Sequence, residues 1–247
     1  MRQKDFFQFR QFTIDQRHAA MKVGTDSDLL GALAGVPLAE EGAEALRLLD
    51  IGTGTGVLSL MMAQRCPSAR ITAIEIDDNA VLDAQTNFSS SAFGERITLH
   101  HVSFQDYLAN EGTQEGCFDA ILCNPPYFDK SLECEDLGRT RARHTSSLPF
   151  PVLIDGAFRL LRQGGLFSVC IPPEVLNDFT TQCLLRGLWL QDIYKVKSVP
   201  EKEPKRFVLV HRKGSMIVPQ EHLCCMRDAD RNRSEWYNQL MAPFHLL

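Results

Sequence analysis

The stretch Cys123-Asn124-Pro125-Pro126-Tyr127-Phe128 ends an apolar run, Phe118-Asp119-Ala120-Ile121-Leu122, in a turn carrying an amide, two prolines and two aromatic rings. The run itself reads as a buried strand. Successive prolines fix φ, so the Pro125 carbonyl is held rigidly beside the Asn124 side-chain oxygen. Two acceptors so placed suit a planar NH2 group, whose lone pair is delocalised into the neighbouring π-system. Accepting both N–H bonds draws that nitrogen toward a tetrahedral, lone-pair-exposed geometry and stabilises the positive charge that attack creates. Tyr127 offers a flat face on which a base can stack, worth ~1–3 kcal/mol, and Phe128 could widen it. Asp129 is near enough to consider as a base, although attack requires none.

A second constellation lies upstream. Leu48-Leu49-Asp50-Ile51-Gly52-Thr53-Gly54-Thr55-Gly56-Val57 places three glycines directly after a strand and at the mouth of a helix. Such a turn lets a ligand approach the backbone and presents amide groups to it. The dinucleotide fingerprint would need its third glycine at position 57, which is Val57. At the end of the next strand, Arg70-Ile71-Thr72-Ala73-Ile74-Glu75-Ile76-Asp77, Glu75 can accept both hydroxyls of a ribose; Asp77 is a second candidate for that task.

The pattern Asp50-x-Gly52-x-Gly54-x-Gly56 resembles that of the S-adenosylmethionine-dependent methyltransferases. The resemblance implies S-adenosylmethionine as cofactor, held by Asp50, Gly52, Thr53, Gly54, Gly56, Glu75 and Ile76, with Asn124 beside it. Many such enzymes place an acid near the end of the third strand to bind the adenine amino group. Here Ser103 and Phe104 occupy that point and Asp106 follows two residues later. The Asn-Pro-Pro-Tyr turn occurs in adenine N6-methyltransferases of DNA and RNA, in glutamine N5-methyltransferases of release factors and, with Phe for Tyr, in some guanine N2 enzymes.

The ends of the chain narrow the choice. Phe7-Gln8-Phe9-Arg10-Gln11-Phe12, Met21-Lys22-Val23-Gly24-Thr25-Asp26 and Leu29-Leu30-Gly31-Ala32 are similar to the N-terminus of the bacterial tRNA adenine-N6 methyltransferases that modify the adenine beside the anticodon of a valine tRNA. Residues 138–150, 205–213 and 234–246 resemble the same family. It implies that Lys22, Val23, Gly24, Thr25 and Asp26 close over the cofactor. With a tRNA partner, the basic clusters acquire a use: Arg141 and Arg143, then Arg10 and Lys205, are candidate phosphate contacts. A release-factor glutamine methyltransferase is the nearest rival, but such enzymes usually carry a helical domain before the glycine turn, and about 45 residues precede it here. A non-catalytic subunit of the same fold would commonly lose the glycines or the Asn. A nicotinamide oxidoreductase is disfavoured by Val57.

The elements that must position these residues alternate. Strands are expected at residues 46–51, 71–76, 97–102, 118–123, 164–171, 188–199 and 206–210, and helices at 57–64, 79–88, 149–161 and 173–186. This is an α/β, Rossmann-like doubly wound methyltransferase sheet of about seven strands, mostly parallel, ending in an antiparallel pair at a hairpin-like edge. A helix at 25–38 is capped by Thr25 or Asp26, and residues 214–247 form a tail packing on the core. One methyltransferase domain, acting as a monomer, accounts for all 247 residues.

An apolar content of 44% and charged content of 23% are ordinary for a soluble globular chain. A net charge of −5 argues against coating nucleic acid by bulk charge. The eight cysteines show no C-x-x-C pair or metal spacing, so reduced thiols and no metal are expected. Neither a secretion signal nor a membrane-spanning run is evident, and a cytoplasmic location with no membrane partner follows.

Overall fold

The computed structural model describes residues 5–37, 45–110, 114–125 and 148–246. A short hairpin of β1 (Phe6–Gln8) and β2 (Thr13–Asp15) opens the chain, followed by α1 (Thr25–Leu33). Alternating elements come next: β3 (Arg47–Ile51), α2 (Val57–Arg65), β4 (Arg70–Glu75), α3 (Asp78–Ser89), β5 (Ile97–His101), α4 (Phe104–Ala109) and β6 (Phe118–Cys123). The second half carries α5 (Phe150–Leu160), β7 (Leu161–Ile171), α6 (Leu176–Arg186), β8 (Leu188–Lys197), β9 (Arg206–Lys213), β10 (Gln220–Cys225) and α7 (Glu235–Met241).

The main sheet has eight strands in the order β10-β8-β9-β7-β6-β3-β4-β5. β9 is antiparallel to both neighbours, and every other pairing is parallel. The expected mostly parallel sheet with an antiparallel late strand is therefore present, with two differences. β9 inserts between β7 and β8, so the antiparallel pair is not the edge. The edge is an eighth strand, β10, drawn from the tail. Its sequence, Gln-Glu-His-Leu-Cys-Cys, has three residues exposed and only Cys224 buried, and it lacks the apolar run that marks an inner strand. The first helix also differs: Gly24 rather than Thr25 or Asp26 is its N-cap, with Ser27 Oγ accepting from the Gly24 amide at 3.3 Å and donating to its carbonyl at 2.8 Å.

Inner strands form where apolar runs can be covered on both faces. All six residues of β6 are buried, as are four of the five in β3. One face packs against α1, α2, α3 and α7 through Leu30, Met61, Phe88 and Met241; the other packs against α4, α5 and α6 through Phe104, Ile154 and Phe179. Asp119 fastens the strands at the edge remote from the strand C-termini. Its carboxylate accepts from the Arg47 amide at 2.7 Å and pairs with Arg162 at 2.7 Å.

Register sets the functional geometry. Ile51 pairs with Cys123 of β6 and with Ile74 of β4, and Glu75 pairs with His101 of β5. Gly52 and Asn124 therefore leave the sheet at one level, beside Glu75.

His211, on β9, is fully buried between Phe167 and Phe179, with ring centroids 6.2 and 5.9 Å away. Burial pushes its imidazole down to about 3 from 6.5, a Phe167 backbone contact offsetting part of the effect. The folded chain holds the ring neutral, whereas the unfolded chain protonates it below its ordinary value. Stability from this site is thus present above pH 6.5 and falls as the pH drops toward 3. In urea denaturation between pH 6.5 and 5, the wild-type chain should lose about 2 kcal/mol more than His211→Leu. Equal losses would contradict a ring that stays neutral.

Candidate active site

The glycine turn is built by backbone conformations that side chains resist. Gly52, Gly54 and Gly56 have φ of 69°, 57° and 84°, in the left-handed region where glycine carries no Cβ penalty. At Gly52 and Gly54 an added Cβ would meet nothing within 4 Å, so this backbone faces open space. At Gly56 it would lie 2.4 Å from the Phe88 ring, so this glycine permits α2 to start against α3.

Two buried acids shape the turn from behind. Asp50 Oδ2 accepts from Thr53 Oγ1 at 2.6 Å and Ser59 Oγ at 2.7 Å. Burial raises its carboxyl to about 6 against these bonds, and nearby Glu75 adds to the rise. Glu75 Oε2 accepts from the Gly54 amide at 2.8 Å; Oε1 accepts from the Ile76 and Asp77 amides at 2.8 and 2.9 Å. Three amides thus aim the carboxylate, and Oε2 retains acceptor capacity for a hydroxyl.

These elements enclose a cavity of about 590 Å³ at the carboxyl ends of β3, β4, β5 and β6, where open α/β sheets bind ligands. Gly52, Gly54, Glu75, Ile76, Ser103, Phe104, Asn124 and Pro125 all line it, together with Asp77 and Asp106. Asp50, Thr53 and Gly56 stand behind that lining and hold it. Asp77 caps α3 by accepting from the Ala80 amide at 2.8 Å, which commits it to the helix. Ser103 caps α4, accepting from the Asp106 amide at 3.0 Å and donating to the Asp106 carboxylate at 2.6 Å. This serine-to-acid box sets Asp106 on the cavity wall one turn into a helix that hydrophobic periodicity does not reveal.

Other candidates lie elsewhere. Lys22, Thr25 and Asp26 are off the cavity lining: the Lys22 ammonium donates to the Gln16 carbonyl, Thr25 begins α1, and Asp26 pairs with Arg206. Arg10 donates from its guanidinium to the Ala242 carbonyl at 2.8 Å, and Lys205 is exposed. Pro126, Tyr127, Phe128, Asp129, Arg141 and Arg143 lie outside the described residues.

The wall formed by Ala19, Ala20 and Met21 was not legible as such. It belongs to a strap, residues 15–23, fastened mostly by polar side chains. The Asp83 carboxylate accepts from the His18 and Ala19 amides at 3.0 and 2.8 Å and meets the His18 ring at 2.7 Å. One turn on, Asn87 Nδ2 donates to the carbonyls of Asp15 and Thr55, and its Oδ1 accepts from the Asp15 amide. Gln16 Oε1 accepts from Val23. The available signal was the pair Asp83 and Asn87, polar residues at i and i+4 on the inward face of α3, both almost fully buried.

Fold and cavity define a class, the methyltransferase-type α/β domain, and residues 33–172 match the methyltransferase small domain family. The tRNA1(Val) (adenine(37)-N6)-methyltransferase of Phocaeicola vulgatus is 44% identical over 207 residues, covering 84% of this chain and 83% of that one. Proteins of the same name from Bacteroides thetaiotaomicron and Escherichia coli O9:H4 are 39% and 37% identical, covering 98% and 97% of this chain and 97% and 94% of theirs. The chain belongs to that tRNA1(Val) (adenine(37)-N6)-methyltransferase family. Among solved structures, the Agrobacterium tumefaciens protein Atu636, described as a predicted O-methyltransferase, superposes with a TM-score of 0.66 at 20% identity, over 89% of this chain and 96% of that one. Pyrococcus horikoshii TYW2 in complex with MeSAdo gives 0.54 at 16% identity, over 81% and 67%. These two likenesses bear on the fold alone.

Asp83→Ala leaves the buried Ala19 amide and the part-buried His18 amide without an acceptor and should cost roughly 2–4 kcal/mol in urea denaturation. Native-state trypsin should then cut faster at Arg17 and Lys22. Unchanged cleavage would show that the strap is held otherwise.

Proposed function

We propose that this chain methylates the N6 amine of an adenine in tRNA, using S-adenosylmethionine, and that the adenine is position 37 of a valine tRNA, as its relatives' names state. One observation carries the reading: Asn124 and Pro125 line the same cavity as Gly52, Gly54 and Glu75. An amine acceptor pair and a nucleoside cradle sharing one enclosure suit methyl transfer to an exocyclic nitrogen.

The cavity fits an adenosyl cofactor on its own chemistry. Open backbone at Gly52 and Gly54 admits a ligand that a side chain would exclude. Glu75 Oε2 would accept from the ribose hydroxyls. Val102, Ile76 and the buried Phe104 would give apolar contact for the adenine ring, and the Asp106 carboxylate would accept from its amino group. Two acids, Asp50 and Glu75, favour a cationic ligand nearby. When bound, S-adenosylmethionine supplies an electrophilic methyl group on a sulfonium.

The protein's part is then positioning and electrostatics. The Asn124 side-chain oxygen and the Pro125 carbonyl accept the two N–H bonds of the target amine. Its lone pair turns toward the glycine side of the cavity. The released proton passes to solvent at Asn124. An anticodon-loop base is already easily splayed, so bringing it into the cavity costs only a few kcal/mol. A cytoplasmic setting suits both tRNA and the free thiols found among the described residues.

Labelled S-adenosylmethionine offered with separate pools of tRNA, rRNA, DNA and release factor should label tRNA alone. Asn124→Ala should lower that labelling by about 10²–10³-fold while S-adenosylhomocysteine binds within about threefold of wild type. Label in release factor, or near-normal turnover by the variant, would overturn the reading.

A further inference from the structure

The cofactor cavity occupies the β3–β4–β5 side of the sheet, and Asn124 ends β6. A large substrate reaching Asn124 must extend the other way, across β7, β9, β8 and β10. At that end of the same sheet edge lie two loops. One, between β8 and β9, carries Lys202 and Lys205 and begins after Lys197, the last residue of β8; the other, following β10, is a turn bridged by Arg227 and Arg233 with Arg231 near its tip. Four strand spacings separate β10 from β6, about 19 Å, a span comparable to the width of an RNA helix.

The turn has a distinctive backbone. Arg231 is the one described non-glycine residue with positive φ, 68°, a conformation that glycine or asparagine adopts at lower cost. The Asp228 side chain closes the turn on the Asn232 amide at 2.9 Å, the Arg231 amide donates to the Asp228 carbonyl at 3.2 Å, and Arg227 donates to the Arg231 carbonyl at 2.6 Å. All three arginines are exposed, and although the Arg233 guanidinium lies 5.6 Å from the centroid of the Tyr237 ring, packing does not explain an arginine at 231. Arg231 reaches Glu201 of the neighbouring loop at only 3.7 Å, with both side chains more than half exposed, a contact of little energetic weight. Counted with Lys197 at the end of β8, the two loops hold six cations against four acids, Glu201, Glu203, Asp228 and Asp230, in a chain whose net charge is −5.

We propose that the Arg227–Arg233 turn and the 197–205 loop together form a phosphate-binding surface that holds the tRNA backbone while its adenine sits at Asn124. This rests on the tRNA reading above and adds a place for the rest of the molecule. Arg206, which follows Lys205 at the start of β9, is paired with Asp26 at the start of α1.

The test compares the full-length wild type with Arg231→Gly and with the double variant Lys202→Ser/Lys205→Ser, using a valine tRNA transcript. Glycine relieves the left-handed backbone, so Arg231→Gly should melt no lower than wild type. Each variant should raise KM for tRNA about 3–10-fold and reduce the slope of log K against log salt by about 1 for each phosphate it no longer neutralises, with kcat and S-adenosylhomocysteine affinity within about twofold. Wild-type KM and salt slope in both variants would overturn the proposal, as would a loss of kcat and cofactor affinity together. A wild-type chain that methylates no tRNA would instead overturn the substrate reading beneath it.

Discussion

Parallel register across β6, β3 and β4 is the constraint on which the site depends. Because Ile51 pairs with both Cys123 and Ile74, the glycine turn, the Asn-Pro turn and the Glu75 carboxylate leave the sheet at one level. A slip of one residue would turn every side chain to the opposite face and carry Glu75 away from the Gly54 amide. Burial on both faces makes that slip costly, and the Asp119 contacts with Arg47 and Arg162 fasten the opposite edge.

Negative charge is concentrated in the cavity wall at Glu75 and directly behind it at Asp50. Asp50 and Glu75 are both nearly buried, and their proximity contributes to the raised carboxyl of Asp50 and to a Cys123 thiol held protonated chiefly by burial. Such a grouping is unfavourable for the empty protein and suits a positively charged ligand. The strap completes the enclosure from the other side. Its hairpin is tied to the chain's end, where Arg10 bonds the Ala242 and Phe244 carbonyls, Phe9 pairs with His245, and His245 lies 3.2 Å from Asp28 of α1. The N-terminal segment therefore supplies the Ala19–Met21 wall of the cavity, and the last helix and the residues after it brace the hairpin that leads into it.

What the sequence revealed followed from interaction range. The glycine turn, Glu75 and the Asn-Pro turn are local patterns beside apolar runs, and strand boundaries at β3, β4 and β6 fell within a residue of those expected. Asp83 and Asn87 were missed because their partners in the strap lie 64 to 72 residues away along the chain, and Thr55 lies 32 away. β10 was missed because an edge strand needs little apolar content, and α4 because six residues are too few to show a helical period. Lys22 and Asp26 sit close to the cavity in sequence, yet their side chains turn to Gln16 and Arg206; nothing local distinguishes those partners from a ligand.

The shared cavity is tested most directly by a crystal structure of the chain with S-adenosylhomocysteine and a short RNA containing the target adenine. The ribose hydroxyls should lie on the Glu75 carboxylate, and the adenine amino nitrogen within about 3.2 Å of both Asn124 Oδ1 and the Pro125 carbonyl oxygen. A nucleoside seated away from Gly52 and Gly54, or an adenine held by other residues, would contradict it.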